Sequence, residues 1–559
     1  MSKYIFSLCL SFLIFDFLNA KTWYVATTGN DNSAGTLSAP FKTIPKAISS
    51  AAAGDIIELR GGTYSSNEIR ITKSNLTLRS YTGEWAIINA VMNDEDIASC
   101  IWYNEPDVVG GTLENLEITG GYYYGVSFET NWDWGVPLNQ RHGVSNITIR
   151  NCKIHDTGRD CIKIKPFCNN IKILNCSIYN SGKGPGNNPN DPNAEGIDNV
   201  NGWGMEVKGC YIHHTSTTGI YAKGGAKNCI IEENLIMETG EAGILLGFYT
   251  DADFFDTTTN PSYYECINSI ARNNMVVNTG GAGIGFFAAQ NCEAYNNTVV
   301  TATPKFHAPL FCAKGEVWIS NSLTLTPANQ SIKVYNNIFI DKSGTGDEDF
   351  TAQLREGALT GTNVFANNIY HKTTGAAKFN DGVSYPYPNF AEWKTRTQLD
   401  LTSREGNPNL NTQFHLVAGS IAIDAGRSIP SNSRDYDGNL RTGSPDIGAD
   451  ELNAGASLQV PPPSNVIGTG TAIVSKIKES KIEDKPIFVF PNPIYDMAHL
   501  KGDTTSFDIY EVFDVSGRLC LKNNMTSSTI NLTSLQQGYY FLKLSSKNGE
   551  FKIVTFNKL

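Results

Sequence analysis

Three acidic residues occupy positions where the local sequence pattern does not require an acid. Glu195 and Asp198 flank a Gly-Ile step in the segment NAEGIDNV, and Asp160 precedes a similar apolar step in RDCIKIK. Carboxylates grouped in space can bind a divalent cation, or one can act as an acid and another as a base. Lys163 and Lys223 belong to the same strand pattern, and a neutral lysine amine can accept a proton. Both kinds of chemistry require a fold that brings these side chains together.

A degenerate repeat positions these residues. The segments ITIRNCKIHDTGRDCIKIK, IKILNCSIYNSG, MEVKGCYIHHTSTTGIYAK, CIIEENLIMETGEAGILLG and SIARNNMVVNTGGAGIGFF share three short strands separated by turns. The anchor positions of the turn are Asn151, Asn175, Gly209, Asn234, Asn274 and Asn297. Their separations of 24, 34, 25, 40 and 23 residues indicate one coil of 23 to 25 residues with loops inserted in two coils. The pattern predicts an all-β fold, a right-handed parallel β-helix (solenoid) in which each coil stacks on the next.

Stacked coils place equivalent residues about 4.8 Å apart, so the alignment predicts which side chains are neighbours. The ladders that start near Gly-Ile are Tyr124, Asp160, Glu195, Thr218, Ala242, Ala282, then Ser127, Lys163, Asp198, Tyr221, Leu245, Gly285, then Glu129, Lys165, Val200, Lys223, Gly247, Phe287. Charge is concentrated in the earlier coils. Adjacent carboxylates repel unless a cation binds them or lysines pair with them. The second alternative is a solvated salt bridge between Lys163 and Asp198 without activity.

Aromatic residues cluster in loops beside the same strand, and they are Trp132, Trp134, Trp203, Tyr249 and Tyr263. Aromatic faces suit the stacking of sugar rings. Arg141 and Lys165 are available for an anionic group, and Tyr221 occupies the position that stacks on Asp198. We therefore expect a groove that binds an acidic polysaccharide.

The composition limits the class of protein and its partners. The net charge of −11 argues against nucleic acid, and 51 glycines with only 18% charged residues suit short strands and turns. Residues 1–20 resemble a signal peptide, and no later run is apolar enough to span a membrane. The β-helix is expected over residues 21–452, with less regular coils towards its end, followed by a linker at 453–485. We expect a monomer.

Residues 486–559 are predicted to form a separate small β-sandwich domain. The motifs FPNP, VFDVSGRL and GYYFLKL occur there in order. They resemble the carboxy-terminal sorting domain of the type nine secretion system. The resemblance implies recognition by that secretion machinery, and a secreted or outer-surface location.

The segment EGID, with Asp160 one coil earlier, resembles the calcium-binding acid cluster of polysaccharide lyase family nine, the pectate lyase-like proteins. The resemblance implies that Asp160, Glu195 and Asp198 bind Ca²⁺. It also implies that a lysine abstracts a proton during β-elimination of a uronate glycan, with Lys223 or Lys163 in that role. Ala194 stands where the family has another acid.

Two other functions fit the same fold. The segment RDCIKIK resembles the Asp-Asp-Cys-Ile strand of glycoside hydrolase family twenty-eight, polygalacturonase-like enzymes with an inverting mechanism. Arg159 replaces one of the acids of that motif, and no Gly-His-Gly follows. A non-catalytic glycan-binding or adhesin β-helix would have the groove without needing charged ladders.

Overall fold

The structure is a computed structural model. It describes residues 20–132, 136–190, 192–301, 307–320, 322–344, 349–383, 385–452, 488–490, 497–501, 504, 507–514, 519–525, 527–546 and 551–558. Nearly all of the expected signal peptide, the whole expected linker and Trp134 lie outside these residues.

Three long sheets form the body of the chain, and every pair of neighbouring strands within them is parallel. The chain passes from sheet A to sheet B to sheet C in each coil. Sheet A contains Thr22–Val25, Ile56–Leu59, Leu76–Ser80, Val109–Glu114, Ser145–Arg150, Lys172–Leu174, Glu206–Lys208, Ile230–Glu232, Ile270–Arg272, Glu293–Tyr295, Lys333–Tyr335 and Val364–Ala366. Sheet B contains Gly62–Ser66, Ala86–Ala90, Leu116–Thr119, Lys153–His155, Ser177–Tyr179, Tyr211–His213, Leu235–Met237, Met275–Val277, Thr298–Thr301, Ile338–Asp341, Ile369–Lys372 and Arg404–Glu405. Sheet C contains Ile69–Ile71, Ser99–Tyr103, Tyr124–Phe128, Ile162–Ile164, Ile197–Val200, Ile220–Lys223, Ile244–Leu246, Ile284–Phe287, Leu310–Ala313, Ala352–Leu354 and Phe379–Asn380. The expected parallel β-helix is confirmed.

Smaller elements complete the solenoid. A fourth parallel sheet contains Ala226–Lys227, Cys266–Ile267, Ala289–Gln290, Asn329–Gln330 and Leu359–Thr360, and an antiparallel hairpin contains Val317–Ser320 and Leu323–Leu325. The helices are Ile44–Ser50 and Phe390–Thr397, with 3₁₀ turns at Leu138–Gln140 and Ala252–Phe254. Helix Ile44–Ser50 begins after the capping residue Thr43 and packs Ile44 and Ile48 onto the core near the first coils.

The core is a continuous stack of apolar side chains inside the solenoid. In sheet C the isoleucine after the Gly-Ile step repeats in register and is 0% exposed in each of Ile197, Ile220, Ile244 and Ile284. One coil alone would leave this surface in water, so stability depends on stacking. The Gly-Ile step is therefore a structural requirement, and the acids beside it are not.

The turn between sheets A and B has asparagines at two adjacent positions. The sequence alignment treated these two positions as one. Asn151 and Asn175 have left-handed backbones, with φ of 53° and 52°. The strand register places Asn234 and Asn274 one position later, equivalent to Cys152. The predicted alignment of this turn is thus wrong by one residue from Asn234 onward. The amides at the later position form a buried ladder through Asn234, Asn274, Asn297, Asn337 and Asn368.

Replacing Asn297 by alanine is expected to destabilise the solenoid by about 4 kcal/mol, because several buried polar groups lose partners. The Asn297 amide donates to Asn337 at 2.9 Å and accepts from the backbone N–H of Asn274 at 3.0 Å. Denaturant unfolding of the full chain measures the loss. Asn188→Ala, at an exposed loop position, is the control. A loss below about 1 kcal/mol for Asn297→Ala would contradict this role of the ladder.

Cysteines occupy the ladder position in earlier coils. Cys152, Cys176 and Cys210 are buried there, and the eleven cysteines among the described residues carry free thiols. These three form a stack of small buried side chains. Cys210 links the two stacks, because its backbone N–H donates to the Asn234 side chain at 2.9 Å.

The last part of the solenoid differs from the prediction. The coils end at Arg404–Glu405, and residues 406–452, here called the strap, run back along the outside of the earlier coils. The outward asparagines of the turn hold the strap through side-chain donation to its backbone, from Asn336 to Arg427 at 2.8 Å and from Asn296 to Asp446 at 3.1 Å. Leu416, Ile447 and Ala422 of the strap pack with Val300, Ile338 and Ile369. The irregular sequence of this region reflects a covering segment and not degenerate coils.

The chain separates into two compact units, Met1–Thr471 and Ala472–Leu559. The second unit has two antiparallel sheets, one of Phe488–Phe490, Met497–Lys501 and Thr529–Asn531, the other of Leu519–Asn524, Ile509–Asp514, Gly538–Ser545 and Phe551–Lys558. The expected small C-terminal β-domain is confirmed. Among the described residues, no helix has the length and apolar character that a membrane crossing needs.

Candidate active site

The strand register confirms the predicted ladder from Ser127 to Gly285 on sheet C, and one step of the ladder beside it. Lys163 pairs with Asp198, Asp198 pairs with Tyr221, and Val200 pairs with Lys223. Asp160 and Glu195 lie in the turns that enter their strands, where the backbone N–H of Cys161 donates to the Glu195 carbonyl at 3.0 Å. Acids from two neighbouring coils and lysines from the first and third of three successive coils therefore share one face.

Three carboxylates form the centre of this face. Asp160, Glu195 and Asp198 are 0%, 3% and 1% exposed, and one oxygen from each lies within 4.8 Å of the others. Asp160 accepts the backbone N–H of Glu195 at 3.2 Å, and Glu195 accepts the Thr217 hydroxyl at 2.9 Å. Oδ2 of Asp160, Oε2 of Glu195 and Oδ1 of Asp198 accept no hydrogen bond from any described group. Buried acceptors of this kind indicate a missing ligand or proton.

Two lysines lie beside the carboxylates, and Lys163 is closer to them than Lys223. The Lys163 amine contacts Asp198 directly and lies 3.7 Å from Asp160, whereas the Lys223 amine lies 3.8 Å from Oδ1 of Asp198. The Lys163–Asp198 salt bridge, which the sequence left open as an alternative, is present, but it is largely buried and not solvated. The two amines can offset at most two ionised carboxylates, so the third must hold a proton or share a further cation.

The environment shifts the pKa values of the three carboxyl groups in different directions. Burial raises the pKa of Asp160, and burial together with the two neighbouring aspartates raises that of Glu195 well above its usual value. Burial also opposes ionisation of Asp198, but Lys163 and Lys223 outweigh it and lower its pKa. Burial would lower the pKa of Lys163, but Asp198 and Asp160 raise it. Without another cation, Lys163 is therefore an ammonium ion and not a base.

The donor set fits calcium. Ca²⁺ prefers carboxylate and other oxygen ligands and tolerates irregular geometry. Asp160, Glu195 and Asp198, the residues predicted as ligands, each bring one oxygen within 4.8 Å of the others, and each has one oxygen that accepts no hydrogen bond from the described residues. Their chemistry and burial are those required for a bound hard cation.

A cleft of about 840 Å³ opens over this face. Its lining includes five of the predicted site residues, which are Trp132, Lys163, Lys165, Asp198 and Lys223. Lys165 also pairs with Glu129 at 2.6 Å, and Tyr249 contributes one wall. The structure therefore brings Asp198, both candidate bases and aromatic surfaces into one open site, while Asp160 and Glu195 are buried beside Asp198 and do not line the cleft.

Three predicted substrate-binding residues lie outside the lining formed by the described chain. Arg141 stacks on Trp132 at 5.4 Å and donates to the Val136 carbonyl at 2.9 Å. Trp203 donates to Asn201 at 3.1 Å, and Tyr221 is 2% exposed beneath Phe248. Arg141 supports the wall through Trp132, and Tyr221 supports the floor. Direct contact of these residues with substrate stays a prediction.

Sequence reasoning missed part of the cleft wall. Trp318 is 63% exposed on the hairpin Val317–Ser320, and it lines the cleft with Thr324 and Phe254. Phe254 lies 4.9 Å from Trp132 between ring centroids. The alternation of apolar and polar residues in EVWISNSLTLT could have predicted the hairpin. Its position over sheet C depends on tertiary packing that no repeat pattern encodes.

Glu265 was also missed, and it lies behind Lys223. It is 0% exposed and accepts the backbone N–H of Gly224 and the Thr250 hydroxyl, both at 2.7 Å. Burial raises its pKa to about 7. The residue fixes the chain immediately after Lys223 and ties it to the loop that carries Tyr249.

Glu265 is expected to make stability fall as pH rises from about 5 to 7. The folded carboxyl keeps its proton up to about pH 7, whereas the unfolded carboxyl ionises near pH 4.3, so raising pH favours unfolding by up to about 3 kcal/mol. Denaturant unfolding of the wild type and Glu265→Gln at several pH values measures the difference. The variant should lose this part of the pH dependence, and identical profiles would refute the assignment.

Comparison with known proteins identifies the family. Residues 23–305 match the family described as Pel9A-like, right handed beta helix region, and residues 488–555 match a secretion system C-terminal sorting domain. The sorting domain marks the chain for type IX secretion, to the cell surface or released from it.

Matches to individual proteins are either short or low in sequence identity. Pectate lyase PEL9 of Emericella nidulans is 43% identical over 82 residues, which is 14% of this chain and 20% of the relative. The match thus spans about a fifth of that relative. The crystal structure of pectate lyase Pel9A has 17% identity and a TM-score of 0.44, with 78% of this chain and 96% of that chain covered. A XylC complex with xylose has 13% identity and a TM-score of 0.46, with 77% and 98% covered. Because the family match extends over residues 23–305, just over half of the chain, the protein belongs to the Pel9A-like right-handed β-helix family.

Proposed function

We propose that the protein is an exported polysaccharide lyase that cleaves a uronate-containing glycan by calcium-dependent β-elimination. One observation carries the proposal. Three buried carboxylates with unsatisfied oxygens lie beside two lysines at the floor of an open, aromatic-walled cleft. Family membership and the match to a pectate lyase support the same chemistry.

The reaction makes specific demands on the site. β-Elimination removes the proton next to the uronate carboxylate, expels the glycosidic oxygen and leaves a carbon–carbon double bond. Calcium held by Asp160, Glu195 and Asp198 would supply positive charge for the substrate carboxylate and for the negative charge that develops on it. The protein must also supply a base and a path for the sugar chain.

Lys223 is the better candidate for the base. Its amine lines the cleft, 4.3 Å above the ring of Tyr221, and its contact with Asp198 is longer than that of Lys163. Lys163 contacts Asp198 and approaches Asp160, so it acts as a counter-ion to the cluster. In this assignment Lys223 takes the proton and Lys163 balances the charge of the carboxylates.

The cleft walls suit a chain of sugar rings. Trp132, Tyr249 and Trp318 offer aromatic faces along the opening, and rings of this kind stack on sugars. Lys165 reaches the same opening and can attract a second uronate carboxylate. An acidic polysaccharide is therefore the substrate class that the charges and aromatic surfaces favour.

The hydrolase alternative fits less well. An inverting hydrolase needs its two carboxyl groups about 6.5–9.5 Å apart to admit a water molecule. The three acids here converge within 4.8 Å. Such spacing favours a shared cation over a separated acid and base.

The test is incubation of the purified full chain with pectate, alginate and glycosaminoglycans, with ultraviolet absorbance of the unsaturated product as the readout. Absorbance should rise with Ca²⁺ and cease with chelator. New reducing ends without absorbance would instead indicate a hydrolase. Binding without either product would indicate the non-catalytic glycan-binding protein.

A further inference from the structure

The strap contains a second group of metal-ligand residues, separate from the cleft. His415, Asp437 and Asp450 each offer one ligand atom, and these atoms lie within 4.8 Å of one another. They come from three separate points of the strap, outside the family match over residues 23–305.

Asp437 is buried and aimed into this group. The residue is 4% exposed, and neither of its carboxylate oxygens accepts a hydrogen bond from the described part of the chain. Oδ2 lies 2.8 Å from Nε2 of His415, yet the two atoms do not form a hydrogen bond of acceptable geometry. Buried acceptors without hydrogen-bond donors indicate a missing ligand or proton.

A simple His–Asp ion pair leaves the group incompletely balanced. A protonated His415 would offset one carboxylate, but Asp450 adds a second, whose Oδ2 accepts the backbone N–H of Leu416 at 2.7 Å. The nearby guanidinium of Arg441 pairs with Glu451 at 3.1 Å and donates to backbone carbonyls. A divalent cation would neutralise both carboxylates and use the free lone pair of the imidazole.

We propose that His415, Asp437 and Asp450 bind a structural divalent transition-metal ion of the Zn²⁺ class. The ion would connect three separate points of the strap. One imidazole and two carboxylates are a ligand set that Zn²⁺ accepts, with water at the fourth position, whereas Ca²⁺ prefers oxygen ligands alone. His415 and Leu416 are adjacent, and Leu416 packs under the strap with Ile338 and Ile369. The ion would therefore hold this apolar contact against the outside of the solenoid.

The test uses the full chain after chelation and dialysis, with Zn²⁺ alone as the probe. Titration calorimetry and metal analysis should find one more bound equivalent in the wild type than in Asp437→Asn, and Zn²⁺ should raise the melting temperature of the wild type only. Asp198→Asn separates this site from the cleft, because it should keep the strap equivalent. His415→Gln should weaken Zn²⁺ binding by about 100-fold or more, since losing an outer partner of a ligand alone costs about 10–100-fold.

Each result decides the proposal. Equal zinc content in the wild type, Asp437→Asn and His415→Gln would overturn the site and leave a buried ionic network. Stabilisation by Ca²⁺ but not by Zn²⁺ would overturn the proposed class of ion. The wild-type measurement alone is decisive if a variant fails to fold, because absence of a bound equivalent and of a melting shift there refutes the site.

Discussion

Asp198→Asn is expected to reduce lyase activity by about 1,000-fold and to remove calcium binding at the cleft. Asp198 is the carboxylate that contacts Lys163, approaches Lys223 and presents an unsatisfied Oδ1 to the cluster. The asparagine keeps the volume but removes the charge that is proposed to hold the cation. Initial rates of ultraviolet absorbance and calcium titration of the same preparations measure the two losses together.

The matched control is Glu206→Gln, which also replaces a carboxylate by an amide. Glu206 pairs with Lys172 at 2.9 Å on sheet A and does not line the cleft among the described residues. Exposed pairs of this kind contribute little, so its activity should stay within about twofold of the wild type. An Asp198→Asn enzyme with near-normal rates and intact calcium binding would contradict the assignment of the metal site.

The neighbours on sheet C could be predicted because the sequence marks their register. Gly-Ile recurs in successive coils, and a glycine followed by a buried isoleucine has one compatible orientation in the stack. Thus the pairing of Lys163 with Asp198, and of Val200 with Lys223, followed from alignment alone. A slip of one residue would have moved Ile197 from the core to the surface, so burial enforces the register.

The asparagine turn lacked such a constraint. Asparagine suits both positions there, for different physical reasons. At Asn273 it adopts a left-handed backbone and bonds outward to the strap through Asn432 at 2.8 Å, whereas at Asn274 its amide bonds inward to Asn297. Because identical residue types occupy adjacent positions, the sequence did not distinguish them, and the alignment slipped at Asn234.

The repeat pattern could not predict the positions of the cleft walls and the strap, for a different reason. Their positions depend on contacts across 53 to 168 residues of chain, such as Asn201 to the Phe254 carbonyl and Arg441 to Asn273. Trp203 and Tyr221 illustrate the consequence. Both belong to the correct coils, but one turns to Asn201 and the other packs under Phe248. Periodicity predicts which residues share a face and does not predict which loop covers it.

Lys223→Ala is expected to lower kcat by about 10²–10⁴-fold, the usual contribution of a general base, while calcium binding and KM change little. The amine lines the cleft, and its Asp198 contact of 3.8 Å is too long for a hydrogen bond. Truncation removes the proposed proton acceptor without removing a carboxylate from the cluster. Steady-state rates at saturating Ca²⁺ and calcium titration separate the two effects.

Lys163→Ala provides the comparison that assigns the base. Lys163 contacts Asp198 directly and lies 3.7 Å from Asp160, so its removal should change calcium affinity more than kcat. The metal would then no longer compete with the Lys163 ammonium for these two carboxylates. A larger loss of kcat in Lys163→Ala than in Lys223→Ala would reverse the assignment, making Lys163 the proton acceptor and Lys223 the counter-ion.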